Sequence, residues 1–191
     1  MDFAMEDTHS LAGQLLVSMP GMTDPNFHHT VTYICEHSEK GALGIIINKP
    51  IGMELGDVLQ QLSLQTAANK LMSQPVLRGG PVQAERGFVI HESPSHWDAT
   101  TEVGQSICVT TSQDILSDVA AGNGPQRILM ALGYAGWGAG QLEYELRQNA
   151  WLTVPATTDI VFDTPYDELW QAAAASLGID PSNLSLHAGS A

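Results

Sequence analysis

Apolar residues in this chain fall into short runs, each closed by turn-forming residues. Residues 11–18 predict a first strand, which Met19-Pro20-Gly21 ends. Asp24-Pro25-Asn26 predicts a turn, because Asp and Asn side chains bond their own backbone and Pro presets φ. Residues 30–35 (Thr-Val-Thr-Tyr-Ile-Cys) alternate and are β-branched, which predicts a strand. Residues 42–48 are nearly all apolar and predict a strand buried on both faces. The polar link 36–41 is short enough for an antiparallel hairpin.

Helical spacing takes over next. Met53, Val58, Leu59 and Leu62 form one apolar stripe and predict a helix over 54–62. Residues 75–78 and 87–91 read as strands on either side of Gly79-Gly80-Pro81, and 105–110 reads as another. Ser112 is the expected N-cap of a helix to 121, with Asp114 in its first turn. Gly122-Asn123-Gly124-Pro125 stops it. Residues 127–132 are apolar and lead into Gly133-Tyr134-Ala135-Gly136-Trp137. Residues 141–148 predict a short helix that buries Leu142 and Leu146. Residues 151–154 and 160–162 read as short strands. A last helix is expected with Thr164 as N-cap, Pro165 in first position, Asp167 and Glu168 in its first turn, and its end at Gly178. Hairpins are mixed with helices without a regular β-α-β order. That predicts an α+β fold with a mixed or antiparallel sheet, not a doubly wound parallel one.

Composition narrows the function classes. A length of 191 residues with 43% hydrophobic residues suits one domain, expected over 11–180, with residues 1–10 and the tail 181–191 fraying. There are 21 acidic residues against 7 Lys and Arg, a net charge of −14. Phosphate-backbone binding needs clustered bases, and these seven are scattered, which argues against a generic nucleic-acid surface and an anionic membrane surface. Two cysteines, Cys35 and Cys108, lack a CxxC spacing, as in a reduced intracellular protein. The acidic start Met1-Asp2-Phe3-Ala4-Met5-Glu6-Asp7 is unlike a signal peptide, and no apolar run approaches the roughly 20 residues of a spanning helix. A cytoplasmic location is the expectation.

A set of ordered peptides carries a family resemblance. They are Gln14-Leu15-Leu16-Val17-Ser18-Met19-Pro20, Asp24-Pro25-Asn26-Phe27, Cys35-Glu36-His37, Asn48-Lys49-Pro50, Gly79-Gly80-Pro81 with Arg86-Gly87-Phe88-Val89-Ile90-His91, and Gly133-Tyr134-Ala135-Gly136-Trp137 leading to Asn149-Ala150-Trp151-Leu152. Over about residues 11–162 the chain resembles the AlgH/YqgE family of bacterial proteins of unknown function. The resemblance implies an α+β fold with a bifurcated sheet, part of it curled into a small barrel, surrounded by helices. Members are often labelled transcriptional regulators because one lineage is linked to alginate control. The chain departs from the family pattern in the permuted tail His187-Ala188-Gly189-Ser190-Ala191 and over residues 92–101.

Several residues are candidates for ligand or partner contact. Gly79-Gly80-Pro81 between Arg78 and Arg86 has the form of an anion nest; the plain alternative is a tight interstrand turn. Cys35 is a candidate reactive thiol, with His37 expected on its face of the strand and Glu36 opposite; the alternative is a buried apolar Cys. Asn48 and Lys49 follow a buried strand, where polar residues often face a cleft; alternatively Asn48 only makes the turn. Tyr134 and Trp137, with Gln141 on the next helix, would wall a pocket or simply pack a corner. The histidines His28, His29, His37, His91 and His96 lack metal-ligand spacing, so no metal or other cofactor is expected, and His91 joins the ligand or partner candidates. No residue is assigned a catalytic role. The favoured function is a regulatory or adaptor protein binding a small anionic ligand or a protein. The alternatives are a thiol- or carboxylate/His-dependent enzyme and a DNA-binding regulator, which the charge disfavours. Ligand, partner and oligomeric state are left open.

Overall fold

In the computed structural model, residues 10–67, 69–92, 95–104 and 106–183 are described. Ten strands are defined: β1 (Gln14–Ser18), β2 (Val31–Ser38), β3 (Gly41–Ile46), β4 (Pro50–Glu54), β5 (Pro75–Arg78), β6 (Val82–Glu92), β7 (Thr100–Gly104), β8 (Ile107–Thr110), β9 (Ile128–Gly138) and β10 (Trp151–Pro155). Four helices accompany them: α1 (Leu55–Gln61), α2 (Asp114–Ala121), α3 (Gln141–Arg147) and α4 (Leu169–Ala175). The sheet runs β10-β1-β2-β3-β9-β6-β8-β7, antiparallel along this path.

The sheet forks at β9. One edge of this strand pairs with β6 along its first half. Its other edge pairs first with β5, in parallel (Leu77 with Ala131), and then with β3, antiparallel (Gly44 with Ala135). Gly79 lies in the fork: its amide donates to Leu132 O (2.8 Å), and its carbonyl accepts from Ile46 N (2.8 Å).

Alternation along the strands sets the core. Leu15 and Val17, Tyr33 and Cys35, Ile45 and Ile47, Phe88 and Ile90, and Ile107 and Val109 all point to one interior, closed by Val161, Leu169 and Ala173. The sheet therefore curls into a half-barrel. Its far edge returns towards the start: a methyl on Gly13 would lie 3.3 Å from the Gly104 Cα. The opposite face of β5, β6 and β9 buries Val76, Val89 and Met130 under α1 and α2. The opposite face of β1 and β2 buries Leu16 and Ile34 with Trp137, Trp151 and Leu142 of α3. This is the α+β architecture that the alternation and the resemblance implied.

Several elements differ from the sequence-based expectations. The apolar run and the Gly-Tyr-Ala-Gly-Trp peptide it leads into form one 11-residue strand, β9, with Ala135 and Trp137 packed in the core. Residues 160–162 do not form a strand but lie in a π-helical turn (Asp159–Asp163), held by Val161 N to Thr157 O (3.0 Å) and Ile160 N to the Thr157 hydroxyl (3.2 Å). Ser112 does not cap α2: its hydroxyl accepts from Ala99 N (3.0 Å) and donates to Asp114, and Gln113 occupies the cap position. Thr164 is extended and α4 begins only at Leu169; residues 165–168 form a turn closed by Glu168 N to Pro165 O (3.0 Å). Gly178 ends this last region in the left-handed conformation (φ 75°), as expected. Gln105 and the divergent residues 93 and 94 lie outside the described residues, as do 1–9 and 184–191 of the two ends. No helix among the described residues is long and apolar enough to cross a membrane.

Candidate functional site

The loop between β1 and β2 is rigid for reasons written in its sequence. The Asp24 carboxylate accepts from Asn26 N (2.9 Å), and the Asp24 carbonyl accepts from Phe27 N (3.0 Å) and His28 N (2.9 Å), the expected turn. Phe27 then inserts beside Trp151 (5.5 Å, edge-on) and Trp137 (6.2 Å). Asn48 holds the other end. Val31 N–H can only donate and the His29 carbonyl can only accept, so the Asn48 amide is oriented without ambiguity: Oδ1 takes Val31 N (2.9 Å) and Nδ2 gives to His29 O (2.9 Å). Asn48 is 6% exposed. It is thus the bracket of the loop.

The outer side of this loop gathers aromatic rings and positive charge. His28 stacks on His29 (3.9 Å, 18°), and His29 stacks on Trp170 of α4 (4.0 Å, 15°). Trp170 is tied down by its indole N–H to Ser18 O (2.9 Å). His28 faces the Met22 carbonyl through Nδ1 (3.0 Å), so Nδ1 carries the proton. Arg78 donates to Asn26 Oδ1 (2.8 Å), and its backbone N–H donates to Lys49 O (2.7 Å). Burial, His28 and Lys49, in that order, push the His29 pKa below its usual value. Among the described residues, no ion pair involves Lys49 or Arg78. Arg127, by contrast, is met by Glu92, Asp163 (2.6 Å) and Asp159 (3.3 Å). We refer to Asn26, His28, His29, Lys49, Arg78 and Trp170 as the ledge.

Of the residues singled out by sequence, Arg78, Lys49 and Asn48 meet at this loop, and the others lie elsewhere. Gly79 and Gly80 are buried in the fork, with the Gly79 amide already bonded, and Pro81 is exposed beside them. Arg86 lies over Phe88 (5.0 Å) and Tyr134 (5.8 Å). With Glu36, Cys35 and Thr101 it lines a separate hollow of about 130 Å³. Trp137 is 6% exposed and donates to Glu145 (2.6 Å), which also accepts from Trp151 (3.2 Å). Gln141 accepts from Gly138 N (3.0 Å) ahead of α3.

Cys35 and His37 do not share a face. The register slips between Ile34 and Glu36, leaving Cys35 as the extra residue of a β-bulge. Cys35 therefore points into the half-barrel, while His37 turns to α3, where Nε2 meets Glu143 (2.5 Å) and Nδ1 accepts from Leu11 N (2.9 Å). Hydrogen bonding from His37 pulls the Glu143 pKa down. Burial, reinforced by the charge of Glu36, pushes the Cys35 thiol pKa far up, so it stays protonated at neutral pH.

His91 is fully buried, donates from Nδ1 to Glu92 O (2.8 Å) and accepts at Nε2 from Thr110 (2.7 Å), which itself bonds Thr100 (2.7 Å). Burial lowers its pKa from 6.5. The unfolded chain then takes up a proton that the folded one resists. Its contribution to stability is complete above pH 6.5 and is lost as pH falls through the lower folded value. Melting temperatures from pH 8 to pH 5 are expected to drop in the acid range, and His91→Asn to flatten that drop while lowering stability throughout. An unaltered slope in the variant would count against this assignment.

Sequence reasoning missed His28, His29 and Trp170 as parts of one site. The two histidines draw attention only as metal ligands, and Trp170 is more than 140 residues distant along the chain. The signal that could have found them is the run Asn26-Phe27-His28-His29 in a turn whose bracket, Asn48, directly precedes Lys49. A second hollow, about 360 Å³ between α1, β6 and α2, is walled by Met53, Leu62, Val89 and Met130. Its one charged lining residue is Glu85, which does not suit an anion.

Comparison with known proteins places the chain. The sequence model of the AlgH-like family matches residues 15–182. A UPF0301 protein of Xanthomonas campestris pv. campestris is 50% identical over 181 residues, covering 95% of this chain and 96% of the relative. One from Thioalkalivibrio sulfidiphilus is 51% identical over 187 residues, covering 98% and 100%. The solution structure of the AlgH protein from Pseudomonas aeruginosa superposes with a TM-score of 0.76 at 47% identity over 100% of both chains. A crystal structure of a Corynebacterium diphtheriae protein shares the fold, with a TM-score of 0.71 at 20% identity, covering 91% and 90%. The chain belongs to the AlgH-like family, whose function is unknown.

Proposed function

We propose that the protein is a non-enzymatic regulatory or adaptor protein that captures a small anionic ligand on the ledge. One observation carries this reading. In a chain of net charge −14, Lys49 and Arg78 come together at one rigid loop with no carboxylate paired to either among the described residues. Among the described residues Arg127 is the one Lys or Arg in an ion pair. What sets Lys49 and Arg78 apart from the other open cations is that they are adjacent, the Arg78 backbone N–H donating to Lys49 O (2.7 Å). Two open cations side by side repel one another, and an incoming anion would relieve this and accept charge-assisted hydrogen bonds from both. The thiol-enzyme alternative is weakened by the protonated Cys35 and the displacement of His37 to the other face. A DNA-binding reading lacks a basic surface to support it.

Titration calorimetry with pyrophosphate at low salt tests the reading. Binding is expected, weakening with added salt. Lys49→Ala with Arg78→Ala should weaken it by about 100-fold or more, since charge-assisted hydrogen bonds contribute roughly 1.5–3 kcal/mol each and two are removed. The melting temperature should hold, because both side chains are only half-buried. Arg86→Ala, in its own hollow, should leave pyrophosphate binding unchanged. No binding at low salt, or equal binding by the double variant, defeats the proposal.

A further inference from the structure

We infer that the anion is carried by an aromatic ring: the ledge is shaped for a single nucleoside phosphate, its base stacked on His28 and its phosphates at Lys49 and Arg78. This rests on the anion-capture reading above and names the ligand class of the same site.

The ring stack is the evidence. His28, His29 and Trp170 form three successive layers at 3.9 and 4.0 Å with tilts of only 18° and 15°. The inner end is closed, because Trp170 is packed against the half-barrel core and bonded to Ser18 O. The outer end is open. His28 is exposed, has a ring neighbour on one face only among the described residues, and is held by its Nδ1 bond to Met22 O. A flat exposed ring fixed from below is a ready surface for a fourth ring, and every nucleobase has such a face. The low pKa of His29 keeps that ring neutral at pH 7, so the stack is free of repulsion between two imidazolium ions.

The phosphate end follows from the neighbours of the stack. Asn26 is two residues before His28 and orients the Arg78 guanidinium through one nitrogen, leaving its other N–H groups for a fork contact with an oxyanion. Lys49 directly follows Asn48, whose amide donates to His29 O (2.9 Å), so the Lys49 backbone lies beside the residue that carries the middle ring of the stack. Two cations suit one or two phosphates. An extended nucleic-acid strand would meet the net charge of −14 beyond them, which restricts the ligand to a mononucleotide.

Calorimetric titration of the full chain with ADP, pyrophosphate and adenosine separates the parts. ADP is expected to bind at least about 10-fold more tightly than pyrophosphate, the increment of one stacked base, and adenosine only weakly. His28→Ala should abolish that excess and leave pyrophosphate unchanged, and His28→Phe should retain it. Equal affinities for ADP and pyrophosphate in the native chain would overturn the ring inference and leave the anion site standing. Adenosine binding as tightly as ADP would overturn the phosphate assignment, and failure of all three to bind would remove the anion reading along with this one.

Discussion

Gly80→Ala is expected to cost the fold at least about 3 kcal/mol and to leave little native protein, because it overpacks backbone against backbone. A methyl group built on Gly80 would sit 2.1 Å from the Tyr134 carbonyl carbon and 2.4 Å from Ala135 N. No side chain is there to move aside. Tyr134 and Ala135 belong to β9 at the fork, where the strand is paired with Val82 of β6 and with Gly44 of β3. Shifting it would break ladders on both edges at once. Gly79 is in the same position, 2.2 Å from Gly133 O. Gly21→Ala is the control, since nothing lies within 4 Å of its added methyl. Urea unfolding midpoints check this: Gly21→Ala near the native value with Gly80→Ala unfolded at low urea supports the fork, and a Gly80→Ala loss under about 1 kcal/mol contradicts it.

This glycine pair also shows how much the sequence could say. Two consecutive glycines between strands signal a close approach of some kind, but a turn, an anion nest and a threaded fork share that signature. Only the long-range pairing of β5 with β9 decides among them. Elements set by local pattern were legible: the β2–β3 hairpin, α1 with its buried Val58 and Leu59 (though Leu62 of the expected stripe is exposed and Leu55 is buried in its stead), the Asx-turn at Asp24, and the left-handed stop at Gly178. Those set by tertiary context were not. Strand β7 is exposed along most of its length and carries no apolar period, so its pairing with β8 left no trace in the pattern. Ser112 and Thr164 are good capping residues by type, but Ser112 is recruited by Ala99 and Thr164 is held extended. The Cys35–His37 relation failed because a one-residue bulge inverts every facing after it. The ledge was half legible. Arg78, Lys49 and Asn48 stood out as rare charges and strand-end polars, but the ring stack joins α4 to a loop at the other end of the chain.

Asn48→Ala brings fold and site together and carries the second large effect. Its amide is buried and satisfies two backbone groups, Val31 N–H and His29 C=O. Removing it orphans both, at about 1–3 kcal/mol each where water cannot enter, so a loss of roughly 2–6 kcal/mol is expected. Asn48→Asp distinguishes the two bonds. A carboxylate still accepts from Val31 N–H, but it sets an oxygen against the His29 carbonyl with no proton between them. It also places a negative charge next to Lys49, filling the role proposed for the ligand. Both variants should shift the urea midpoint downwards. In the folded protein both should release the loop that carries Asn26, His28 and His29. ADP affinity is then expected to fall by about tenfold in Asn48→Ala, since an unfixed loop must be ordered on binding, and further in Asn48→Asp, where the charge adds to it. Destabilisation without any loss of affinity would mean that the loop's order is irrelevant to binding and that the ledge is not the site.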